Sequence, residues 1–213
     1  MAVNFTRLTM LPIAHILRAY IKRANGLENV PLSGPYIVAA NHASYMDHLI
    51  IQSVAVRKLK RIVYFLAKKE HFQGIVQNRW HRYVGAIPID REKGGKNALK
   101  TASRFLAKGH IIGIYPEGTR TLTGKIQPAK TGVARLALKA KVPVIPAGLI
   151  GTFEILPKGR FFPRFKRAEV NIGKLLYFDK YYGKENNKKA LRLVTTKIMK
   201  EIARLAKQKY NFN

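Results

Sequence analysis

The chain has 213 residues, of which 47% are hydrophobic, and this is enough to bury the core of a folded domain. Lys and Arg total 40 against 11 Asp and Glu, so the formal net charge of +29 predicts an anionic partner: a nucleic acid, an anionic membrane surface or an anionic substrate. The absence of cysteine excludes disulfides and thiolate chemistry, and the six histidines lack a spacing such as HExxH, so we expect no resident metal ion.

The N-terminal segment is expected to form an amphipathic helix over residues 5–24. Its most apolar stretch, residues 8–17, falls short of the ~20 apolar residues that a membrane-spanning helix needs, and no cleavage site of a signal peptide follows it. Apolar residues flanked by Arg and Lys are typical of a helix that lies on a membrane, but equally of a helix that packs on its own domain. We divide the chain into this membrane-associating segment, residues 1–28, and an α/β domain, residues 29–213.

Beyond a connector at residues 26–35, short apolar runs alternate with segments whose apolar residues have helical spacing. Continuous apolar runs indicate strands covered on both faces, and alternation with helices indicates a parallel sheet. We therefore predict an α/β fold, a layered domain with a largely parallel central sheet flanked by helices. The predicted strands are 36–40, 62–67, 86–90, 111–116, 142–151 and 168–178. The predicted helices end near Ala55 after the first strand and cover 68–85, 97–110, 131–141 and 186–209.

Polar segments follow three of the predicted strands. They are NHASYMD after the first, DREKG after the third and EGTRT after the fourth. Because ligands of parallel α/β sheets bind outside the carboxyl ends of the strands, these segments are the candidates for a functional site.

His42 and Asp47 are five residues apart, which places them about 140° apart on a regular helix and excludes a shared helical face. If His42 precedes the helix and Asp47 lies in its first turn, the carboxylate can reach back to an imidazole nitrogen and orient His42 as a base. Alternatively, Ser44 caps the helix, Asp47 lies near its positive end, and Asn41 and His42 satisfy loop amides. The two interpretations are compatible.

Two further segments carry groups suited to phosphate. In YPEGTR, Gly118 permits close approach to the backbone, Thr119 adds a hydroxyl, and Arg120 offers a planar guanidinium. In GAIPIDR, a strand delivers Arg91 to the same edge of the sheet. The alternatives are a tight turn with a solvated arginine and a strand followed by a surface charge. The strand VPVIPAGLIG has little polar chemistry and is predicted to shape a pocket wall.

The segments NHASYMD, GAIPIDR, YPEGTR and VPVIP, in this order, resemble the motifs of the glycerophospholipid acyltransferase family, and within it the lysophosphatidic acid acyltransferases. The resemblance spans roughly residues 30–152 and continues more loosely to Gly173. Thr121 stands where a serine is more usual, and Ala147 where a larger apolar residue is common.

The resemblance implies an acyltransferase domain over residues 29–213 that moves a fatty acyl group from acyl-CoA or acyl carrier protein to the hydroxyl of lysophosphatidic acid, giving phosphatidic acid without a further cofactor. His42 would be the general base and Asp47 its orienting acid. The acceptor would be bound by Glu117, Gly118, Thr119 and Arg120, with Arg91 as a second phosphate contact. The resemblance also implies a peripheral location on the cytoplasmic face of the cell membrane.

Residues 158–167, KGRFFPRFKR, interleave five basic residues with three phenylalanines. This composition predicts rings inserted at an anionic membrane surface, although a basic loop with partly buried rings has the same pattern. The basic C-terminal helix is equally compatible with a solvated face.

Other functions remain open at this point. A nucleic-acid-binding protein would suit the charge, but no known nucleic-acid-binding motif is visible, so no specific nucleic acid is expected. A hydrolase could use the same base to activate water. Within the transferases, the acceptor could instead be glycerol-3-phosphate, another lysophospholipid or a lysolipid without phosphate.

Overall fold

One seven-stranded sheet lies at the centre of the described structure, a computed structural model covering residues 5–90 and 95–212. Its strands are β1 (Ile21–Asn25), β2 (Ile37–Ala40), β3 (Val63–Lys68), β4 (Ala86–Ile89), β5 (Ile111–Ile114), β6 (Val144–Ile150) and β7 (Ala168–Ile172). Their order across the sheet is β1-β7-β6-β2-β5-β3-β4. Neighbouring strands are parallel except for the antiparallel pair β6 and β7. The predicted α/β fold is confirmed.

Helices cover both faces of the sheet. They are α1 (Phe5–Leu17), α2 (Asp47–Val54), α3 (Ile75–Tyr83), α4 (Gly95–Ala107), α5 (Gly132–Ala140), α6 (Thr152–Ile155) and α7 (Lys188–Leu205). Successive side chains of β2 point to opposite faces, as the pleat of a strand requires. Ile37 and Ala39 pack in the core beneath α4, α5 and α7, whereas Val38 and Ala40 pack in the core beneath α2. This two-sided burial explains the continuous apolar strands in the sequence.

The C-terminal helix has the two faces that its sequence indicates. Apolar residues at spacings of three and four, from Leu191 through Val194 and Ile198 to Ile202, are buried against the sheet. The basic residues of this region are exposed, so the solvated-face interpretation holds for their positions. They are Lys188, Lys189, Arg192, Lys197, Lys200, Arg204, Lys207 and Lys209.

The prediction of one helix over residues 5–24 is wrong in its second half. Helix α1 ends at Leu17, and Ile21–Asn25 forms β1, which pairs in parallel with β7 at the edge of the sheet. Arg18 and Arg167 both donate to the carbonyl of Ile21, which anchors this strand. A pairing with residues almost 150 positions away overrides the local helical pattern. The division at residue 28 stays a prediction, although β1 lies on its N-terminal side and belongs to the sheet.

Other boundaries shift by small amounts. The last predicted strand ends at Ile172, and Leu176 makes only an isolated bridge to Val144. The helix predicted over 68–85 is a short 3-10 turn followed by α3. None of the helices in the described part of the chain combines the length and apolar composition that crossing a membrane requires.

Gly148 lets α7 close over β6, and we predict that a methyl group there is destabilising. A Cβ at this position would lie 2.3 Å from the backbone nitrogen of Ala206, so Gly148→Ala should lower the free energy of unfolding by roughly 1–3 kcal/mol. Gly132→Ala is the matched control, because no atom lies within 4 Å of its added Cβ. Urea unfolding followed by circular dichroism measures both, and equal stabilities would contradict the close packing of α7 on β6.

Candidate active site

The sheet order brings two of the three predicted polar segments together. Strands β2 and β5 are parallel neighbours, so the residues that follow them, His42 and Glu117, lie at the same edge. The backbone amide of His42 donates to Glu117 Oε1 at 2.8 Å, and the amide of Thr121 donates to the His42 carbonyl at 2.9 Å. Arg91 follows β4 and lies outside the described residues, so its part in the site stays a prediction.

His42 and Asp47 form a direct hydrogen-bonded pair. His42 Nδ1 lies 2.8 Å from Asp47 Oδ2, and the Asp47 side chain is fully buried at the first residue of α2. The same oxygen accepts the backbone amides of Ala43 at 2.7 Å and Ser44 at 2.8 Å. Because Oδ2 accepts from Nδ1, the other ring nitrogen of His42, Nε2, is left with its lone pair free. The geometry that orients a base and the geometry that anchors the start of a helix therefore occur together.

The alternative in which Ser44 caps the start of the helix agrees with its hydrogen bonds, although α2 is assigned from Asp47 and Met46, which precedes it, makes no side-chain capping bond. Ser44 Oγ accepts the Met46 amide at 3.0 Å, and Asp47 Oδ2 accepts the Ser44 amide, which are the reciprocal bonds of a capping-box variant. Ser44 Oγ also donates to the carbonyl of Leu156 at 2.8 Å.

A second histidine in the motif, His48, is a weaker candidate for the base. Its ring approaches Phe65 edge-on at a centroid distance of 6.2 Å. Burial lowers the pKa of His48 to about 4, a shift that the nearby Asp47 carboxylate only partly opposes. A group with so low a pKa binds protons poorly at neutral pH, so the structure favours His42.

An aromatic stack holds the plane of the His42 ring. The ring lies face to face on Tyr115, with centroids 3.9 Å apart and an interplanar angle of 7°, and Tyr115 stacks in turn on Phe65 at 5.5 Å. Burial raises the pKa of Tyr115 well above its usual value, so the phenol stays neutral and serves as a packing surface. Sequence reasoning missed this residue, although its position directly after β5 and before Glu117 was a usable signal.

Glu117 is a buried carboxylate that ties three segments together. Oε1 accepts from His42 N, and Oε2 accepts from both the amide and the side chain of Gln127. Burial raises the pKa of Glu117 to about 7, the donated hydrogen bonds lower it, and the Asp47 charge raises it further. Both carboxylate oxygens are thus engaged within the protein, so Glu117 fixes the loop that carries His42.

The rest of the EGTR segment forms a turn with two cations beside it. Gly118 has φ of 74°, a conformation that favours glycine, and a Cβ there would lie 3.6 Å from Lys130 Nζ. The Arg120 guanidinium lies 3.4 Å from the centre of the Tyr45 ring, while Thr119 is exposed. Lys130 was not among the predicted site residues, because it lies ten residues beyond Arg120 in a loop without a local pattern.

Strand β6 lies beside β2 and is joined to the loop that carries His42, while the role of VPVIP as a pocket wall stays a prediction. The buried side chain of Asn41 pairs with the backbone of Leu149 in both directions, at 3.0 and 2.8 Å, and so joins the loop that carries His42 to β6. Ile145 and Ala147 of this strand line a small apolar cavity of about 30 Å³. Among residues 5–90 and 95–212, no three His, Asp or Glu side chains cluster in a way that could hold a metal ion.

Comparison with known proteins identifies the family. The family model described as Acyltransferase matches residues 22–150, which run from β1 to the end of β6 and include His42, Asp47 and Glu117. The chain belongs to the acyltransferase family.

This acyltransferase is similar to enzymes from Bacillus subtilis and Brassica napus. It is 33% identical over 147 residues to the 1-acyl-sn-glycerol-3-phosphate acyltransferase of Bacillus subtilis, covering 68% of this chain and 71% of that one. It is 33% identical over 137 residues to the chloroplastic 1-acyl-sn-glycerol-3-phosphate acyltransferase BAT2 of Brassica napus, covering 63% of this chain but 38% of that one.

A solved structure shares the fold of this acyltransferase. The crystal structure of the 1-acyl-sn-glycerophosphate acyltransferase PlsC from Thermotoga maritima superposes with a TM-score of 0.64 at 24% identity. The match covers 94% of this chain and 80% of that one, so the likeness extends beyond the family region to α7.

Glu117 should make the stability of this acyltransferase depend on pH. The pKa of Glu117 is about 7 in the folded chain, against an ordinary value of 4.5, so its contribution to stability is fully present below pH 4.5 and is lost as the pH rises through 7. Glu117→Gln removes this dependence. The unfolding free energy of the variant, relative to wild type, should therefore rise by roughly 1–3 kcal/mol between pH 4.5 and 8. Urea unfolding across this range measures it, and a constant difference would contradict the raised pKa.

Proposed function

We propose that this protein transfers a fatty acyl group from an acyl thioester to the free hydroxyl of lysophosphatidic acid, and so makes phosphatidic acid. The observation that carries the proposal is the 2.8 Å contact between His42 Nδ1 and the buried Asp47 carboxylate at the edge of the sheet. The names of the relatives from Bacillus and Brassica support this acceptor. The nucleic-acid-binding alternative offers no role for a histidine paired with a buried aspartate.

His42 acts as the general base. Nε2 takes the proton of the acceptor hydroxyl as its oxygen attacks the thioester carbonyl carbon, and Asp47 stabilises the imidazolium that forms. The side chain of His42 is 19% exposed, so part of it is open to a ligand. The stack on Tyr115 keeps the ring in one plane throughout the reaction.

The tetrahedral intermediate then collapses. The new carbon–oxygen ester bond remains, the carbon–sulfur bond breaks, and His42 returns its proton to the departing thiolate. The donor is acyl-CoA or acyl carrier protein, both of which are acidic and suit a chain of net charge +29. The reaction requires no cofactor beyond this donor and no resident metal.

The phosphate of the acceptor binds at the EGTR turn. Arg120 supplies charge within the turn and Lys130 supplies charge next to Gly118, whose missing side chain leaves the backbone accessible, and Thr119 offers an exposed hydroxyl. Arg91, which follows β4 in the sequence, is proposed as a further contact. Glu117 takes part indirectly, by holding the His42 amide.

The decisive experiment compares wild type with His42→Ala. Acyl transfer from a long-chain acyl thioester to lysophosphatidic acid is measured in mixed micelles. The variant should lose turnover by at least about 10²–10⁴-fold, the range that general-base catalysis contributes, with an unchanged circular dichroism spectrum. His15→Ala is the matched control, since His15 is exposed on α1 and bonds only within its helix. Equal product from wild type and His42→Ala would refute the mechanism, and acyl release without acceptor would indicate a hydrolase.

Asp47→Asn separates orientation of the base from anchoring of the helix. Because the amide cannot stabilise the imidazolium, we expect turnover to fall by about 10²-fold or more while most of the protein stays folded. Specific activity is measured on the folded fraction. Near-normal activity in that fraction, together with extensive unfolding, would show that Asp47 serves only to anchor α2.

Arg120→Ala should mainly weaken acceptor binding. Loss of one charge-assisted contact to phosphate is expected to raise KM for lysophosphatidic acid by about tenfold or more, with a small change in kcat. Arg120→Lys keeps the charge and should recover part of the loss. An unchanged KM in Arg120→Ala would place the phosphate elsewhere.

A further inference from the structure

The segment after α6 presents three aromatic rings to solvent. Phe161 is 92% exposed, and Phe162 and Phe165 are each 81% exposed, which are the highest values among the exposed Phe, Tyr and Trp side chains of the described residues. Their exposure contradicts the alternative of a basic loop with partly buried rings. Three neighbouring exposed phenylalanines form an apolar patch of the kind that marks an interaction site.

The backbone of this loop is held in a defined shape. The Arg164 amide donates to the Ile155 carbonyl at 2.8 Å, which closes the loop at its base, and the Arg160 amide donates to Pro157 at 3.2 Å. Arg160 Nε also donates to the carbonyl of Phe162 at 3.2 Å. The rings are therefore presented by a preformed turn, which reduces the entropy lost on docking.

The charge around the rings indicates the chemistry of the partner. Residues 158–167 contain five cations and no carboxylate. A second copy of this chain would bring five more cations against them, which disfavours self-association. Rings that insert among acyl chains, with Lys and Arg at the level of lipid phosphates, fit the interface of an anionic bilayer.

The position of the loop connects it to the catalytic machinery. The carbonyl of Leu156, two residues before the loop, accepts hydrogen bonds from Ser44 Oγ at 2.8 Å and from the Tyr45 amide at 3.0 Å, and both donors lie between His42 and Asp47. On its other side, the Phe165 ring meets Tyr20 edge-on at 6.0 Å, next to the end of α1.

We propose that residues 158–167, the aromatic-basic loop, dock on an anionic lipid bilayer and that the bonds to Leu156 set the catalytic loop at the bilayer surface. The rings enter the interface, the cations meet lipid phosphates, and His42 is brought to the depth where the hydroxyl of a membrane-embedded lysolipid lies. The role in catalysis rests on the proposed function, whereas the docking itself does not.

Vesicle binding tests the rings. Wild type and the double variant Phe161→Ala, Phe162→Ala are sedimented with vesicles of phosphatidylcholine and phosphatidylglycerol. The variant should bind about tenfold or more weakly, because apolar area is lost from the interface. Tyr177→Ala is the matched control, since Tyr177 is an aromatic residue that is 58% exposed. Its neighbour Leu176 bridges to Val144, the first residue of β6, so Tyr177 lies at the other end of this strand from the loop. Equal binding by the double variant and wild type would overturn the proposal.

A charge variant tests the phosphate contacts. Lys158→Gln, Arg164→Gln and Lys166→Gln together should weaken binding to anionic vesicles and flatten its dependence on salt. The control removes three exposed lysines of α7 instead, through Lys188→Gln, Lys189→Gln and Lys200→Gln. Equal losses in the two triple variants would show that only net charge matters and would refute a local docking site.

A fluorescence probe reports insertion without relying on loss of binding. Phe162→Trp is placed in a Trp80→Phe background, which removes the single natural tryptophan. On vesicles with brominated acyl chains, emission from the new tryptophan should be quenched. Unquenched emission from vesicle-bound protein would refute insertion. If the double variant lost binding to RNA and kept binding to vesicles, the loop would be a nucleic-acid-binding surface.

Activity separates failure of docking from failure of the proposed function. With a short-chain, water-soluble lysophosphatidic acid, the Phe161→Ala, Phe162→Ala variant should match wild type, and with acceptor embedded in vesicles it should be about tenfold slower or more. If wild type were inactive on both acceptors, the proposed function would be refuted, and the vesicle-binding result alone would decide whether the loop docks. Equal activity of variant and wild type on embedded acceptor would refute the proposed link to catalysis.

Discussion

The convergence of three N–H groups on one oxygen of Asp47 is the interaction on which the site depends. The imidazole of His42 and the amides of Ala43 and Ser44 all meet Oδ2 within 2.8 Å. This single buried atom closes the loop, begins α2 and fixes which ring nitrogen of His42 is free. Because the orientation of His42 and the start of α2 depend on one carboxylate, the proposed catalytic role of Asp47 can be separated from its structural role only by variants that retain its shape, such as Asp47→Asn.

Neighbouring strands hold this loop from three sides. Glu117, beyond β5, accepts the His42 amide, Asn41 pairs with Leu149 of β6, and Leu156, beyond α6, accepts two donors from Ser44 and Tyr45. All three partners lie far from the loop in sequence and are placed by the sheet order β6-β2-β5. The loop that carries His42 is thus held at several points, because parallel strands deliver its anchors to one end of the sheet, as α/β sheets generally do for their sites.

The hydrogen bonds to Leu156 connect the loop that carries His42 to an exposed surface of the protein. The aromatic-basic loop, which begins two residues after Leu156, carries the most exposed aromatic rings of the described chain, surrounded by cations. The large positive charge accordingly has two roles in the proposed function. Arg120 and Lys130 lie beside the EGTR turn, where they would meet the acceptor phosphate, while residues 158–167 would meet the phosphates of the bilayer. The acceptor phosphate and the bilayer phosphates are both anionic, and they would lie side by side when the acceptor is embedded in the membrane.

The sequence by itself determined the α/β class, most strand positions and the segments that form the site, because apolar periodicity and the residues after each strand are local properties. It also indicated the pairing of His42 with Asp47, which are only five residues apart. Only the tertiary structure decided the strand at Ile21–Asn25, the stack of His42 on Tyr115, the partners of Glu117 and the position of Lys130. Each of these joins segments distant in sequence or lacking a local pattern, so its geometry is set by how the strands are ordered and not by the pattern of neighbouring residues.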